Sequence, residues 1–200
     1  MAKRGFDLSI AMLGLVLLLP LFLAIAVVIK LESPGPVFFR QERVGRGGKT
    51  FLIHKFRTMT VAGESTLMQL TVGADRRINR FGKLLRKSKL DELPQLLDII
   101  AGDMSLVGPR PEVPRYVALY PPELRDVVLL VRPGITDRAS IEFKDESTLL
   151  GQAADPHEFY VKKVLPIKLS YYVKYAQEHT FGGDLKIIAA TFVALFKRRK

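Results

Sequence analysis

LSIAMLGLVLLLPLFLAIAVVI, Leu8 to Ile29, is a run of 22 residues without a charge. As a straight helix it is roughly 33 Å long, enough to cross the hydrocarbon of a bilayer. Three readings compete for it. A cleaved leader would use Lys3 and Arg4 as its basic head and Ala24-Ile-Ala26 as a cleavage box. The run is long for a leader, however, and Asp7 stands at its edge. The second reading is a plain spanning anchor. The third is a re-entrant helix that enters, bends and leaves by the same face. Pro20, near the middle, removes one backbone bond to the carbonyl of Val16 and its ring clashes there, which predicts a membrane bend at that residue. Lys3 and Arg4 flank one end, and Lys30, Arg40, Arg43 and Arg46 follow the other. Positive residues mark the cytoplasmic side, and here both ends carry them, a pattern that leans toward the re-entrant reading. Proline also occurs in ordinary spanning helices, so the residues alone leave anchor and hairpin open.

Outward from this run, 200 residues suffice for one domain with appendages. The expected division is a membrane helix over 1–32 and a compact cytosolic domain over 33–200. The fold class is mainly α with a small β element. The formal charge of +11 points to an anionic partner: nucleic acid, anionic lipid or a phosphorylated substrate. There is no cysteine, which removes disulfides, thiolate chemistry and cysteine metal sites. His54, His157 and His179 form no ligand spacing.

Glu32-Ser-Pro-Gly-Pro36 stops the first helix. Val37–Arg40 and Thr50–Phe56 read as strands around the turn Gly45-Arg-Gly-Gly48. Val61 to Asp75 reads as a loop or frayed helix. Arg76 to Lys87 has Ile78, Phe81, Leu84 and Leu85 at helical spacing, with Arg76, Arg80, Lys83 and Lys87 on another face. Pro121–Val131 is expected to be helical, as is most of Pro156–Glu178 with an interruption near Pro166. Leu185–Phe196 reads as an amphipathic helix ending in Lys197-Arg-Arg-Lys200. It either lies among lipid headgroups, its tail on anionic membrane lipids, or packs on the core with a solvated tail.

The chemistry concentrates in SKLDELPQLLDIIAGDMSLVGPRP, Ser88 to Pro111. Asp91 and Glu92 sit at the head of a short apolar helix that Gly102 ends. Ser88 is a candidate N-cap, although Pro94 argues for a slightly later start. Neighbours on a helix diverge by about 100°, so the two carboxylates are not a facing pair. They suit divided labour, one attacking or binding metal while the other moves a proton. The plainer reading is an acidic first turn that stabilises the helix. Seven basic residues precede them, Arg76, Arg77, Arg80, Lys83, Arg86, Lys87 and Lys89. Acids in such a cationic setting suggest chemistry on a polyanion, most simply a diphosphate. Arg110, held between Pro109 and Pro111, is a preset guanidinium able to grip phosphate. Arg86, Arg132 beside Pro133-Gly134, and Arg57 with Lys55 are further candidate phosphate contacts.

HKFRTM (54–59), LDELPQ with GDMSLVGPRP, and VRPGIT (131–136) together resemble the bacterial sugar transferase family, and within it the small monotopic phosphoglycosyl transferases. The resemblance covers most of the chain. It implies transfer of a phospho-sugar from a UDP-sugar to a polyprenol phosphate, usually undecaprenyl phosphate, with release of UMP, at the cytoplasmic face of a bacterial inner membrane. It implies Asp91 as nucleophile and Mg2+ ligand, Glu92 in proton transfer or metal positioning, and Arg110 in nucleotide or phosphate contact. It favours the re-entrant helix, with Pro20 at the bend, and the minimal catalytic unit of the family. Two departures stand out. Many members continue the VRPGIT element with Gly-Trp-Ala-Gln where this chain has Asp137-Arg-Ala-Ser140, and some carry an Asp where Leu169-Ser170 precedes Tyr171-Tyr172. Both leave the sugar open. The competing expectation is a non-catalytic, membrane-tethered basic module binding anionic lipid or nucleic acid; with no nucleic-acid motif in the chain, nucleic acid is not an expected partner. Oligomeric state, a dimer among the options, stays open.

Overall fold

A computed structural model describes residues 2–60, 70, 72–73, 75 and 77–196, without the side chain of residue 196. Most of the loop expected over Val61–Asp75, the basic residue Arg76 and the tail Lys197–Lys200 lie outside the described residues. The fold is mostly helical with two small sheets.

Helix α1, Ala2–Glu32, runs without a break through Pro20. Its buried residues are Asp7, Ala11, Phe22, Ile25 and Ile29, and Leu15 and Leu18 are half-buried against the same cores. These positions recur every three or four residues, so one stripe packs onto the rest of the protein along nearly the whole helix. Leu13, Val16, Leu17, Leu23, Val27 and Leu31 on the other side are exposed. Both ends are fastened. At the C-terminus the guanidinium of Arg57 donates to the carbonyls of Pro34 (2.5 Å), Ser33 (2.7 Å) and Ile29 (3.4 Å). At the N-terminus Lys3 pairs with Asp184 at 2.5 Å, Phe6 meets Phe181 edge to face, and buried Asp7 accepts from the Ser105 hydroxyl at 2.7 Å.

Strands β1 (Phe38–Val44) and β2 (Thr50–Phe56) form an antiparallel hairpin, Phe38 opposite Phe56 and Val44 opposite Thr50. The first strand is longer than expected because pairing continues up to the glycine turn, where Gly47 and Gly48 take left-handed φ values of 68° and 77°. Helix α2, Arg80–Ser88, starts four residues later than the periodicity suggested. Asn79 supplies the cap, accepting from the Gly82 N–H at 2.7 Å.

Ser88 is not an N-cap: it ends α2, and its hydroxyl donates back to Leu84 and Leu85. Lys89 then turns left-handed (φ 58°), and Leu90–Glu92 form a separate 3-10 turn. Helix α3, Gln95–Ala101, begins after Pro94 and stops at Gly102 (φ 99°). Because Pro94 has no N–H to give, the helix starts beyond it, and the two carboxylates occupy their own turn rather than the first turn of α3.

A second, parallel pair joins β3 (Ser105–Val107) to β4 (Gly134–Thr136). Gly108 and Gly134 are required here, since a Cβ on Gly134 would sit 2.1 Å from the Gly108 nitrogen. Short helices α4 (Pro114–Val117), α5 (Pro122–Val128), α6 (Arg138–Glu142), α7 (Glu146–Gly151) and α8 (Pro156–Phe159) follow. A π turn over Tyr160–Val164 leads into α9, Leu165–Glu178. That is the interruption expected near Pro166, where the missing N–H loosens the ladder. Tyr116, Tyr120, Tyr160, Leu169 and Tyr172 fill the core of this half. Helix α10, Phe181–Phe196, starts four residues before the expected position; Asp184 and Ile187 are buried, while Leu185, Phe192, Val193 and Leu195 are exposed.

Candidate active site

Three elements converge on the turn that carries the acids. Lys55 comes from β2, Arg86 from α2, and Arg110 from the proline-bounded loop after β3. Glu92 is clamped between two of these cations. Its Oε1 accepts from Lys55 Nζ at 2.8 Å, and its two oxygens take the Nη1 and Nη2 groups of Arg110 in bidentate fashion. Asp91, one residue earlier, is 8% exposed, and its Oδ1 is buried with no hydrogen-bond partner among the described residues.

The two carboxyls are therefore tuned apart. Burial works against the charge of Glu92, but Arg110 and Lys55 outweigh it and hold that carboxyl well below the usual range. Burial, then the neighbouring Glu92 charge, push Asp91 up, against Lys55 and Arg86. The environments make one group kept ionised while its two cations hold it and one bare, more basic oxygen.

A layer of buried contacts fixes these parts. Asp98 on α3 accepts from the His54 N–H at 2.9 Å and meets His54 Nδ1 at 2.5 Å, which seats the helix on β2 beside Lys55. Arg43 donates to the Pro111 carbonyl at 3.1 Å. Glu112, next in the chain, accepts from the Tyr160 hydroxyl at 2.7 Å and faces Lys168 at 3.3 Å. Lys168 also reaches Glu146 at 2.8 Å. Burial favours the neutral form of Glu112, yet Lys168 and Arg43 hold its pKa below normal. The loop that presents Arg110 is thus braced by charge on its inner side.

Of the expected phosphate contacts, Lys55 and Arg110 meet at Glu92, Pro111 follows Arg110 with its carbonyl on Arg43, and Arg86 donates its Nε–H to Thr58 Oγ1 at 2.8 Å while acting electrostatically on Asp91. Arg57 is a correction. It is 3% exposed and its guanidinium terminates α1, so it braces that helix and does not face the acids. Arg132 is likewise elsewhere: its Nε–H donates to Gly102 O at 2.8 Å, in a separate cleft of about 390 Å³ lined by Arg46, Lys49, Phe51 and Asp103 but by neither Asp91 nor Glu92. Gln95, Asp98, Glu112 and Lys168 escaped the sequence reading. For Gln95 and Glu112 a signal existed, since both lie within or next to the two motifs.

The donor set also bears on a metal. Among the described residues no three His, Cys, Asp or Glu side chains cluster to hold one. Magnesium asks for less, usually one or two carboxylates plus substrate phosphates and water, and the carboxylate of Asp91, incompletely hydrogen-bonded among the described residues, fits that demand.

A family model described as bacterial sugar transferase matches residues 1–198. The chain belongs to that family. It is 43% identical over 162 residues to the UDP-N-acetylgalactosamine-undecaprenyl-phosphate N-acetylgalactosaminephosphotransferase of Aeromonas hydrophila, covering 80% of this chain and 37% of the relative. It is 37% identical over 202 residues to the UDP-glucose:undecaprenyl-phosphate glucose-1-phosphate transferase of Xanthomonas campestris pv. campestris, covering 99% and 39%. It is also 37% identical over 210 residues to exopolysaccharide production protein ExoY of Sinorhizobium fredii, covering 97% and 85%. The chain thus spans well under half the length of the first two relatives.

Proposed function

We propose that this sugar transferase moves a phospho-sugar from a UDP-sugar to a polyprenol phosphate in two displacements on Asp91. The observation that carries the reading is the bare carboxylate oxygen of Asp91 beside a Glu92 locked by Arg110 and Lys55. In the first step Asp91 Oδ1 attacks the sugar-bearing phosphorus. The bond to the bridging oxygen breaks, its electron pair leaves with UMP, and the phospho-sugar stays on the carboxylate. In the second step a phosphate oxygen of the polyprenol carrier attacks the same phosphorus and Asp91 departs as carboxylate.

Lys55 and Arg110 are the charges an incoming diphosphate would meet. A phosphate that takes their hydrogen bonds releases Glu92 from its clamp. Glu92 then loses the charges that depress its pKa and becomes a base able to accept a proton from the polyprenol phosphate. Asp91 would hold Mg2+, which would supply charge stabilisation to the diphosphate as UMP leaves.

The packing of α1 supports a monotopic placement. The 31-residue helix is tied at both ends to the body that carries the acids. A plain crossing would have to carry part of that body through the bilayer. The exposed apolar faces of α1 and α10 are suited to one leaflet, and Pro20 stands on the exposed side of α1, where a bend would relieve its ring. The test is UMP release from a panel of UDP-sugars with undecaprenyl phosphate and Mg2+. Turnover should occur with at least one sugar and fall below a thousandth in Asp91→Asn; equal rates for the two proteins would remove the nucleophile.

A further inference from the structure

Gln95 is the polar residue of the acidic segment that the mechanism above leaves unused. It is 1% exposed, and neither its Nε2 nor its Oε1 has a hydrogen-bond partner among the described residues. Asp91 Oδ1 shares that condition four residues earlier. The backbone between them is right-handed helical throughout, through the 3-10 turn, Leu93 (φ −55°, ψ −35°) and Pro94 (φ −60°, ψ −14°). The backbone bonds of this coil run from each residue to the one three before it, as at Leu93 to Leu90 and Leu97 to Pro94, so Asp91 and Gln95 lie on successive turns of one short buried coil. A carboxamide sealed from water with both ends unpaired is a net cost to folding. An apolar side chain of the same length would pack there without that cost.

We infer that Gln95 is a substrate-contacting residue, its Nε2–H donating to a non-bridging oxygen of the phosphate that Asp91 attacks. The chemistry suits an amide. Attack by a carboxylate on a phosphate brings like charges together, and Arg110 and Lys55 already face Glu92. A neutral donor on the adjoining turn steadies the phosphate without titrating and without neutralising the nucleophile. The inference rests on the reading of Asp91 as nucleophile.

Two measurements on the full chain in lipid nanodiscs test it. The first is thermal unfolding with and without UDP and Mg2+. Gln95→Met should unfold at or above the wild-type temperature, because an orphaned amide has been removed, and should lose most of the stabilisation that UDP confers. The second is UMP release. Gln95→Met should lower kcat on the order of 100-fold with the KM for undecaprenyl phosphate unchanged. Gln95→Glu, of the same shape but carrying a third carboxylate, should lose at least as much. A Gln95→Met protein that fails to fold, or melts lower yet keeps the full UDP shift, would make Gln95 a structural residue and overturn the inference. Wild-type kcat in Gln95→Met, with Asp91→Asn inactive, would remove this inference and leave the reaction standing. Undiminished UMP release in Asp91→Asn would remove both. The UDP arm decides the role of Gln95 even where no sugar in the panel is turned over.

Discussion

Arg110→Met should turn Glu92 from an asset into a burden, with a pH dependence that betrays it. Arg110 gives Glu92 two charged hydrogen bonds, and the side chains are 27% and 12% exposed. Breaking a buried pair by deleting one member costs about 3–5 kcal/mol. Lys55 remains at 2.8 Å and some solvent reaches the pair, so we take about 3 kcal/mol near neutral pH, at the lower end of that range. For a chain of this size that lowers Tm by about 6–12 °C. The sign of the pH effect follows from linkage. In the wild type the folded pKa of Glu92 is depressed. Its contribution is complete above the unfolded value, about 4.3, and is lost as pH falls through the folded one. In Arg110→Met burial is opposed only by Lys55 and the weaker influence of Lys89; the folded pKa should rise above the unfolded one, so that protonation relieves the protein. The gap in Tm should therefore be widest near pH 7 and shrink steadily toward pH 4.5. Differential scanning calorimetry in nanodiscs from pH 4.5 to 8 reads it directly. A gap that stays constant across that range, or lies under 1 °C at neutral pH, would refute the claim that Arg110 is what keeps Glu92 ionised.

Three further outcomes follow from the same geometry. Arg57→Met removes three carbonyl contacts at the end of α1; it should cost about 2 kcal/mol and raise protease cleavage within 30–36, while kcat per folded molecule stays within about twofold, as limited proteolysis and UMP release can show. Glu112→Gln leaves Lys168 facing Glu146 alone; stability should fall by about 3 kcal/mol, and the KM for the UDP-sugar should rise as the Arg110 loop loosens, whereas an unchanged KM would mean that the brace is purely structural. Chelation with EDTA should stop UMP release and added Mg2+ should restore it; full turnover in EDTA would exclude Asp91 as a metal ligand during the reaction.

Some of this was legible in the residues and some was not, for physical reasons. The hairpin could be read because a glycine turn separates two short runs that each carry two phenylalanines, and the stop of α3 because Gly102 takes a left-handed φ that other residues resist. The packed stripe of α1 could not. Nearly every position from Leu8 to Ile29 is apolar, so the side that contacts the domain and the side that does not carry the same signal. The separate turn for Asp91 and Glu92 hinges on Lys89, a left-handed residue that is not glycine and so gives no mark in the sequence. Lys55 and Arg110 were recognised as candidate cations, but their common partner, 37 and 18 residues away, is a tertiary fact. Arg57 was misread for the same reason. A motif arginine at a strand end looks identical whether it faces a ligand or the carbonyls of a distant helix end. Gln95 was passed over because amides are ordinarily surface residues, and only its burial makes it conspicuous.

The central claim is that one oxygen, Asp91 Oδ1, becomes bonded to phosphorus. Intact-protein mass spectrometry of the full chain, mixed with UDP-sugar and Mg2+ and quenched in acid without polyprenol phosphate, measures that bond. The account predicts a gain equal to one phospho-sugar, mapped by fragmentation to Asp91, discharged on adding undecaprenyl phosphate and lacking in Asp91→Asn. An adduct on another residue, or rapid turnover with none formed at any quench time, would contradict it.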